Sequence, residues 1–340
     1  MKVFLAGGSG AIALRLVPQL VARGHEVVAT TTDAEKVGLV RSLDAEPVVV
    51  DGLDTEAVIA AVVCAQPEAI VHEMTALGGE PSLKHFDRWF ALTNQLRTRG
   101  TANLLAAAQA AGVRRFVAQS YTGWTNSRTG GAKDEEDPLD VHPAKAQRKS
   151  LAAIRYLEDA VASAPLEGIA LRYGSLYGPG SSESVLELVR RRQWPIVGDG
   201  HGVWSWIHND DASAATVAAL ERGKPGIYNV VDDEPAEVAE WLPYLAEVTG
   251  SKPPRRIPKW LGRLALGEAG VQWLTEGRGA SNAKAKHELG WRPFYPSWRD
   301  GFAHGLSRPP LGAADLEQLI GPAVSTAPSA GTSHSVGVSR

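Results

Sequence analysis

The sequence predicts an α/β fold: a doubly wound parallel sheet followed by a smaller, mainly helical C-terminal lobe. Three observations support this prediction. Short apolar runs alternate with helix-like stretches through the first half of the 340 residues. The runs are apolar along their whole length, which is typical of parallel strands covered on both faces. After about residue 174 the alternation stops, and Pro and Trp become frequent.

The elements of the first half follow from hydrophobic period and from the residues that end each run. Helical periodicity covers about residues 11–23, 33–43, 54–65, 86–111 and 151–162. Six strands are predicted between them, at Val3–Ala6, Glu26–Thr31, Val48–Val50, Ala69–His72, Arg115–Gln119 and Gly168–Arg172. We therefore expect a first domain over 1–174 and a lobe over 175–310, with a strand near 226–231 returning to the first sheet.

Composition excludes several classes of function. The net charge of −3 gives no electrostatic reason to expect nucleic acid. No apolar run reaches 18 residues, so we expect no membrane span. The single cysteine, Cys64, cannot form a disulfide within the chain and lies in an apolar run, which predicts a buried core residue. We expect a cytoplasmic protein with no metal site, and a disordered tail over 311–340, where Ala, Gly, Ser, Thr and Pro dominate.

A glycine-rich turn lies between the first strand and the first helix. In this context Gly7 suits the tight turn, Gly10 lets the backbone approach a pyrophosphate, and Ala13 allows close packing of helix on strand. The turn predicts a Rossmann-type site for a nicotinamide dinucleotide, with the helix dipole facing the phosphates. The backbone amides predicted to face them are those of Ser9, Ala11 and Ile12.

The end of the second strand bears on the choice between NAD and NADP. An acidic residue that holds a free ribose 2′-hydroxyl is expected there, but the chain has Thr31 and Thr32. These hydroxyls can bond a 2′-phosphate, and Lys36 or Arg15 could neutralise it. The pattern favours NADP, while Asp33 just after them leaves NAD open. Asp51, with Gly52, is predicted at the adenine amino group, or alternatively as the cap of a turn.

Several further motifs occur in a fixed order, and together with the glycine turn they resemble the extended short-chain dehydrogenase/reductase family, the NAD-dependent epimerase/dehydratase group. The resemblance covers about residues 1–305 and implies a homodimer, by analogy with relatives that pair through helices on one face of the sheet. It also implies further cofactor contacts. The motifs are Ile70-Val71-His72 with Met74-Thr75-Ala76, Gly100-Thr101 through Leu105, Arg115-Phe116-Val117 with Ser120, Leu171 through Gly174 with Tyr177-Gly178-Pro179-Gly180, and Ile207 through Asp211. The implied contacts are Met74, Thr75, Ala76, Ser120 and Tyr173.

The sequence departs from the family pattern at the catalytic pair. The family uses a Tyr-x-x-x-Lys pair followed by a Glu four residues after the Lys. Counting back from Glu158 puts Ile154 at the Lys position and Ser150 at the Tyr position. No Tyr occurs between residues 122 and 155, so the usual pair is absent unless an insertion shifts Lys149 or Lys145 into place. Tyr156 lies off this register and is expected to face the core.

The hydroxyl that the family carries after the fifth strand is replaced by Tyr121. Three alternatives remain open for the chemistry. Tyr121 supplies the phenol, with Ser120 or Thr122 beside it; or no protein acid is used; or catalysis is lost and the chain binds the dinucleotide as a regulator. An aromatic residue after a strand can also simply pack.

Tryptophan residues dominate the predicted substrate side. Trp204 stands where nucleotide-sugar relatives carry a basic residue, which argues against a sugar nucleotide. A pocket lined by Trp124, Tyr177, Trp204 and Trp206, with Trp194 nearby, would suit an apolar or aromatic molecule, unless these rings pack between lobes. His208 and Asp210 are expected to fix a loop.

We therefore predict an atypical NAD(P)-dependent oxidoreductase acting on a carbonyl or alcohol of a non-nucleotide small molecule. A sugar epimerase or dehydratase and a non-catalytic dinucleotide-binding regulator are the alternatives.

Overall fold

A computed structural model describes residues 1–77 and 82–323. The central sheet contains seven parallel strands, and six further strands form three small two-stranded sheets. In chain order the strands are β1 Lys2–Ala6, β2 Glu26–Thr31, β3 Glu46–Val49, β4 Ala69–His72, β5 Arg115–Tyr121, β6 Glu167–Tyr173, β7 Ser175–Tyr177, β8 Ile196–Val197, β9 Val203–Trp204, β10 Trp206–His208, β11 Gly226–Val230, β12 Ala236–Glu237 and β13 Arg256–Ile257.

The helices alternate with the strands of the central sheet and then dominate the C-terminal part. They are α1 Ala13–Ala22, α2 Val37–Ser42, α3 Thr55–Ala65, α4 Phe86–Trp89, α5 Ala91–Gln95, α6 Thr101–Ala111, α7 Arg148–Ser163, α8 Glu183–Arg190, α9 Asn209–Arg222, α10 Val238–Val248, α11 Lys259–Glu276, α12 Ala283–Glu288, α13 Trp298–His304 and α14 Ala313–Ile320. A π-helical turn, Leu96–Gly100, joins α5 to α6, so the long helix expected over 86–111 is interrupted.

The strand order β11-β6-β5-β4-β1-β2-β3 is the doubly wound order with one extra strand at the β6 edge. The predicted returning strand is that extra strand, since β11 pairs in parallel with β6. The order reverses between β1 and β4, which pair with Ala6 opposite His72. Ligands of such sheets bind at the carboxyl ends of the strands at this reversal, and the site described below lies there.

Both faces of the sheet are buried, as the apolar strands predict. Alternate residues of β1 belong to different cores: Val3 and Leu5 pack with α1 and α9, whereas Phe4 and Ala6 pack with α3 and α6. A third core in the C-terminal lobe is built largely from aromatic rings. The fold class is thus the predicted one.

Three expectations about single segments are wrong. The tail was expected to be disordered from 311, but α14 forms there because Leu316 and Ile320 pack into the main core; the rest of the expected tail, from 324, lies outside the described residues. Cys64 is exposed, because it lies on the outer side of α3. Tyr156 is 43% exposed and points away from the core on α7. No described helix has both the length and the apolar character needed to span a membrane.

Candidate active site

The glycine turn places an uncapped helix end at the sheet reversal. Gly7 has a φ of +100°, and a Cβ there would lie 2.9 Å from the carbonyl carbon of Glu73, so only glycine fits. A Cβ on Gly10 would meet only the Gly7 oxygen, at 3.4 Å, which leaves that side of the turn open. No side chain caps the start of α1, and no acidic residue lies in its first turn. These features fit a bound pyrophosphate.

The residues at the end of β2 form a small hydroxyl cluster. Thr31 Oγ1 lies 3.3 Å from Ser9 Oγ, while Thr32 is exposed. The Asp33 carboxylate accepts the Glu35 amide at 2.9 Å and so caps the turn that follows. Lys36 is exposed nearby.

Arg15 does not join this hydroxyl cluster at the end of β2. It is buried, it bonds the Arg308 carbonyl, and it lies 3.8 Å from Asp210. The expectation that Arg15 neutralises a 2′-phosphate is therefore wrong, because α1 directs its side chain toward α9.

The loop after β3 carries Asp51 and Gly52. The Asp51 carboxylate is exposed and accepts the Leu53 amide at 3.0 Å, so it caps the turn and still presents its second oxygen to solvent. Gly52 is buried under the Met74 thioether, which a Cβ would overlap. Met74 thus packs beside the loop that carries Asp51, for which a contact with the adenine amino group stays a prediction.

The loop after β4 is fixed by His72. Its Nδ1 accepts the Met74 amide at 3.2 Å, and its Nε2 lies 3.1 Å from Thr101 Oγ1. Burial lowers the pKa of His72 to about 4, so the ring is neutral and donates to the threonine. Thr75 is exposed, and the Ala76 amide is bonded to Thr93. The contacts of residues 74–76 with the cofactor, which the resemblance implies, stay a prediction.

Ser120 and Thr122 do not face the crevice, in contrast to their predicted catalytic and cofactor roles. Ser120 is fully buried and donates to Glu158 at 2.6 Å, on the α7 side of the sheet. Thr122 is 1% exposed and donates to Asn126. Glu158 also forms a two-point ion pair with Arg172. Both hydroxyls therefore stabilise the fold beneath the site.

Tyr121 is half-buried at the carboxyl end of β5. Its hydroxyl lies 3.2 Å from Ser175 Oγ, and its ring stacks on Trp124 and meets Trp273 edge-on. Gly123 makes room for this ring, since a Cβ there would be 2.9 Å from the phenol oxygen. Burial raises the pKa of Tyr121 well above its usual value, although the Ser175 hydrogen bond and the Arg97 charge oppose the shift. The phenol of Tyr121 therefore stays protonated near neutral pH and can donate a hydrogen bond.

The positions aligned with the family pair are both buried on α7. Ser150 Oγ donates to Asp87 at 2.7 Å and accepts from Asn94. Ile154 packs in an apolar cluster with Phe86, Phe90 and Trp124. Lys149 and Lys145, the residues considered for a shifted register, are both exposed.

The predicted aromatic substrate pocket is not formed as expected. Tyr177, Trp204 and Trp206 are 2–3% exposed and lie in the aromatic core of the C-terminal lobe, because their rings pack on one another and on neighbouring aromatic residues. Trp124 belongs to a different cluster, beside Tyr121. Trp204 stacks on Trp273 with ring centroids 4.0 Å apart. Trp124 and Trp273, with Gln147 and Gln272, line a small cleft next to Tyr121.

His208 begins α9 and has the loop-fixing role that we expected. Its Nδ1 accepts the Asp210 amide, and its Nε2 lies 3.0 Å from the Gly305 carbonyl. Burial lowers its pKa to about 4, so it stays neutral. The described residues contain no group of three or more His, Cys, Asp or Glu side chains arranged to hold a metal ion.

Comparison with protein families agrees with this geometry. The model of the NAD dependent epimerase/dehydratase family matches residues 3–230, from β1 to the extra strand β11. The chain belongs to this family. It is therefore an NAD(P)-dependent enzyme of the oxidoreductase and epimerase type.

Within the family, the similar curated proteins include reductases. The chain is 44% identical over 309 residues to a 3-diazoavenalumate denitrifying reductase of a Streptomyces species, covering 88% of this chain and 99% of that protein. It is 29% identical over 271 residues to a 2-alkyl-3-oxoalkanoate reductase of Stenotrophomonas maltophilia, covering 74% of this chain and 76% of that protein.

Solved structures share the fold of this family member. A UDP-glucose 4-epimerase of Thermotoga maritima superposes with a TM-score of 0.71 at 22% identity, covering 90% of this chain and 97% of that one. A human epimerase family protein solved with NADPH has a TM-score of 0.68 at 21% identity, covering 90% and 99%.

Sequence reasoning missed two buried ionisable residues, Glu73 and Arg97. Glu73 follows β4, and its Oε1 accepts the Tyr173 hydroxyl at 2.9 Å. Tyr173 is fully buried in this bond and beside Thr216, so its predicted contact with the cofactor is not formed by its side chain. Burial raises the pKa of Glu73 to about 8, which keeps it protonated near neutral pH. The sequence feature that could have identified Glu73 is its place directly after an apolar strand.

Arg97 lies on the π-helical turn and is 4% exposed. Its guanidinium lies over the Phe90 ring, 5.5 Å from the centroid. Burial lowers the pKa of Arg97 to about 10, so it is charged at neutral pH. A regular helical period does not predict its inward direction, since the π turn adds a residue to the helix.

Proposed function

We propose that this family member is an NAD(P)H-dependent reductase of a small, non-nucleotide molecule that carries an aromatic or conjugated ring. The observation that carries the proposal is the phenol of Tyr121, at the carboxyl end of β5 between the rings of Trp124 and Trp273. A flat apolar substrate would stack between such rings, with its reacting group at the phenol. The family's reductase relatives support this choice of reaction.

The cofactor would be held by the residues of the crevice. Gly7, Gly10 and the start of α1 would receive the pyrophosphate, and Asp51 and Met74 would border the adenosine. A bound NAD(P)H supplies a hydride. We propose NADPH, because the Ser9 and Thr31 hydroxyls occupy the end of β2 and the Asp33 carboxylate is engaged as a cap. A more than 10-fold tighter binding of NADPH than of NADH, measured by nicotinamide fluorescence, is the expected result.

The chain's own contribution is to bind and orient the electrophilic group. We propose that it lacks a working Tyr-x-x-x-Lys pair, since Ser150 is bonded to Asp87 and Ile154 is apolar and buried. Tyr121 would replace the pair as a hydrogen-bond donor, with Ser175 fixing the phenol. Its raised pKa suits a group that donates a hydrogen bond and does not lose its proton.

The relative that is 44% identical over 309 residues favours a second candidate reaction, the removal of a diazo group. Reduction of a carbonyl consumes a hydride and a proton, whereas replacement of an aryl diazonium group by hydride consumes the hydride alone and releases N2. The relative that is 44% identical is a denitrifying reductase of a diazo compound. A site without a proton-exchanging Tyr–Lys pair is compatible with that stoichiometry.

One experiment tests the reductase proposal and separates the two reactions. The purified protein is mixed with NADPH and with one of two substrate panels. The first panel contains aromatic ketones, and the second contains aryl diazonium salts with ¹⁵N in the diazonium group. Oxidation of NADPH together with labelled N2 release would assign the diazo reaction, and alcohol formation would assign carbonyl reduction. Tight NADPH binding without oxidation by either panel would contradict the reductase proposal and favour the regulator.

Variants of two tyrosines test the role of Tyr121. Tyr121→Phe is expected to lower kcat/KM by about 100-fold if the phenol donates to the reacting group. Tyr156→Phe is the matched control, because Tyr156 is exposed on α7 and should leave kcat/KM unchanged. Equal activity of both variants would remove Tyr121 from the reaction.

The sugar alternative is less well supported. Trp204, which stands where nucleotide-sugar relatives carry a basic residue, is buried in the aromatic core. We also retain the proposals of a cytoplasmic location and of a homodimer. The dimer is tested by light scattering after size-exclusion chromatography, where a mass near 72 kDa is expected from two chains of 36.2 kDa each.

A further inference from the structure

Arg97 is a buried cation without a counterion among residues 1–77 and 82–323. It is 4% exposed, its Nη1 has no hydrogen-bond partner, and it enters none of the ion pairs in this part of the chain. Other buried arginines differ. Arg172 pairs with Glu158, and Arg23 pairs with Glu221. In the described part of the chain, these buried guanidinium groups are paired with carboxylates, whereas Arg97 is not.

The free energy cost of this arrangement is large. Moving a charged group out of water is costly even after relaxation of the protein. The cation–π contact with the Phe90 ring below the guanidinium offsets only a small part of that cost. Residues 1–77 and 82–323 contain no carboxylate paired with Arg97 that would offset the remaining cost. A ligand with a negative charge would do so.

The position of Arg97 identifies which part of a ligand it would meet. The π-helical turn that carries it packs against α7, where the family's Lys would stand. Its charge acts on Tyr121 and on His72, which lie at the carboxyl ends of β5 and β4.

We infer that Arg97 binds a carboxylate of the substrate. The inference rests on the proposed function only in taking the substrate to be a small aromatic or conjugated molecule at Tyr121. The guanidinium presents a planar fork that matches a carboxylate at two points, and the free Nη1 supplies one of them. The carboxylate fixes one end of the substrate, while Trp124 and Trp273 enclose the ring. The substrate class is therefore an aromatic or conjugated carboxylic acid.

Direct binding tests the inference without any need for turnover. Cinnamate and its methyl ester are titrated by calorimetry into the protein saturated with NADP⁺. Cinnamate is expected to bind at least 10-fold more tightly than the ester, which has the same ring and no charge. Arg97→Met should abolish that preference, and Arg97→Lys should keep part of it.

A matched control variant and a stability measurement test whether the effect belongs to Arg97 itself. Arg99→Met removes an exposed guanidinium two residues away, one that bonds the Leu53 carbonyl, and should leave the preference intact. Without ligand, Arg97→Met should unfold at the same or a higher urea concentration than the wild type, since an unpaired buried charge is removed. Equal binding of acid and ester, no binding of cinnamate, or equal weakening of both ligands in Arg97→Met would overturn the inference. Failure of the reductase assays would leave this measurement unaffected.

Discussion

Replacing Glu73 by Gln should change how the stability of the protein depends on pH. Burial raises the pKa of Glu73 from 4.5 to about 8. Between these pH values the folded state keeps a proton that the unfolded state releases, so the free energy of unfolding falls as pH rises. A shift of this size corresponds to a loss of up to about 4–5 kcal/mol, at 1.36 kcal/mol per unit. The loss is complete above about pH 8.

Glu73→Gln keeps the shape and the acceptor of the Tyr173 hydrogen bond but cannot ionise. Urea unfolding of wild type and variant at pH 5 and pH 9 measures the difference. The variant should lose less stability between the two pH values and should be the more stable protein at pH 9. Asp211 has a raised pKa of about 7 and contributes to the slope of both proteins equally, so the comparison isolates Glu73.

Glu68→Gln is the control for Glu73→Gln, because Glu68 is exposed. An identical loss of stability in wild type and Glu73→Gln would refute the assignment of a buried, protonated carboxyl. Dinucleotide affinity provides a second readout, because the backbone of Glu73 borders Gly7. The wild type should bind NADPH more weakly at pH 9 than at pH 7, since Glu73 then carries a negative charge, and the variant should not.

Three further substitutions have expected outcomes. Gly7→Ala should destabilise the protein by about 2–4 kcal/mol and abolish dinucleotide binding, because the φ is positive and the added Cβ meets the backbone of Glu73; thermal unfolding and fluorescence titration check both. Ser120→Ala should cost about 1–3 kcal/mol in urea unfolding and leave kcat/KM unchanged, because the hydroxyl bonds buried Glu158; a fall in kcat/KM without loss of stability would return Ser120 to the active site. Trp204→Arg should unfold the C-terminal lobe, with a loss above about 3 kcal/mol, because it buries an unpaired charge; a folded variant in circular dichroism would contradict this.

The sheet and the glycine turn were predictable from the sequence because both depend on local rules. Buried parallel strands have continuous apolar runs, and a turn with φ of +100° at Gly7 admits only glycine. Glu158 is held by Arg172 and Ser120. The assignment of Ser150 and Ile154 to the family's catalytic positions, counted back from Glu158, stays a prediction.

The direction of side chains was harder to predict, although one signal was overlooked. Residues two apart on a strand share a face. Phe116 and Ala118 pack toward α6 and α7, and Ser120 continues that face down to Glu158. The strand period therefore contained the information that Ser120 and Tyr121 point in opposite directions.

The roles of the tryptophans and of Arg97 could not be predicted from local sequence rules. A ring that lines a pocket and a ring that packs on other rings both need apolar surroundings, so composition does not separate Trp204 from Trp124. Arg97 points inward because the π-helical turn changes the helical phase, and nothing in the residue types of Leu96–Gly100 requires that turn.

The charges around Tyr121 lead to a final prediction. Ile154 on α7 is apolar and buried, and Arg97 lies on the π-helical turn that packs against α7. Arg97 lowers the pKa of Tyr121, but burial raises it by more, so the phenol keeps its proton throughout pH 6–9. The kcat/KM of the reductase should therefore show no ionisation that belongs to Tyr121 in this range.

The pH profiles of wild type and Tyr121→Phe, recorded with one substrate, measure this directly. The two curves should have the same shape and differ only in height. A limb between pH 6 and 9 that is present in the wild type and missing in Tyr121→Phe would mean that the phenol exchanges its proton during turnover. Carbonyl reduction with Tyr121 as general acid would then be the better description, and hydride replacement of a diazo group would lose its main structural support.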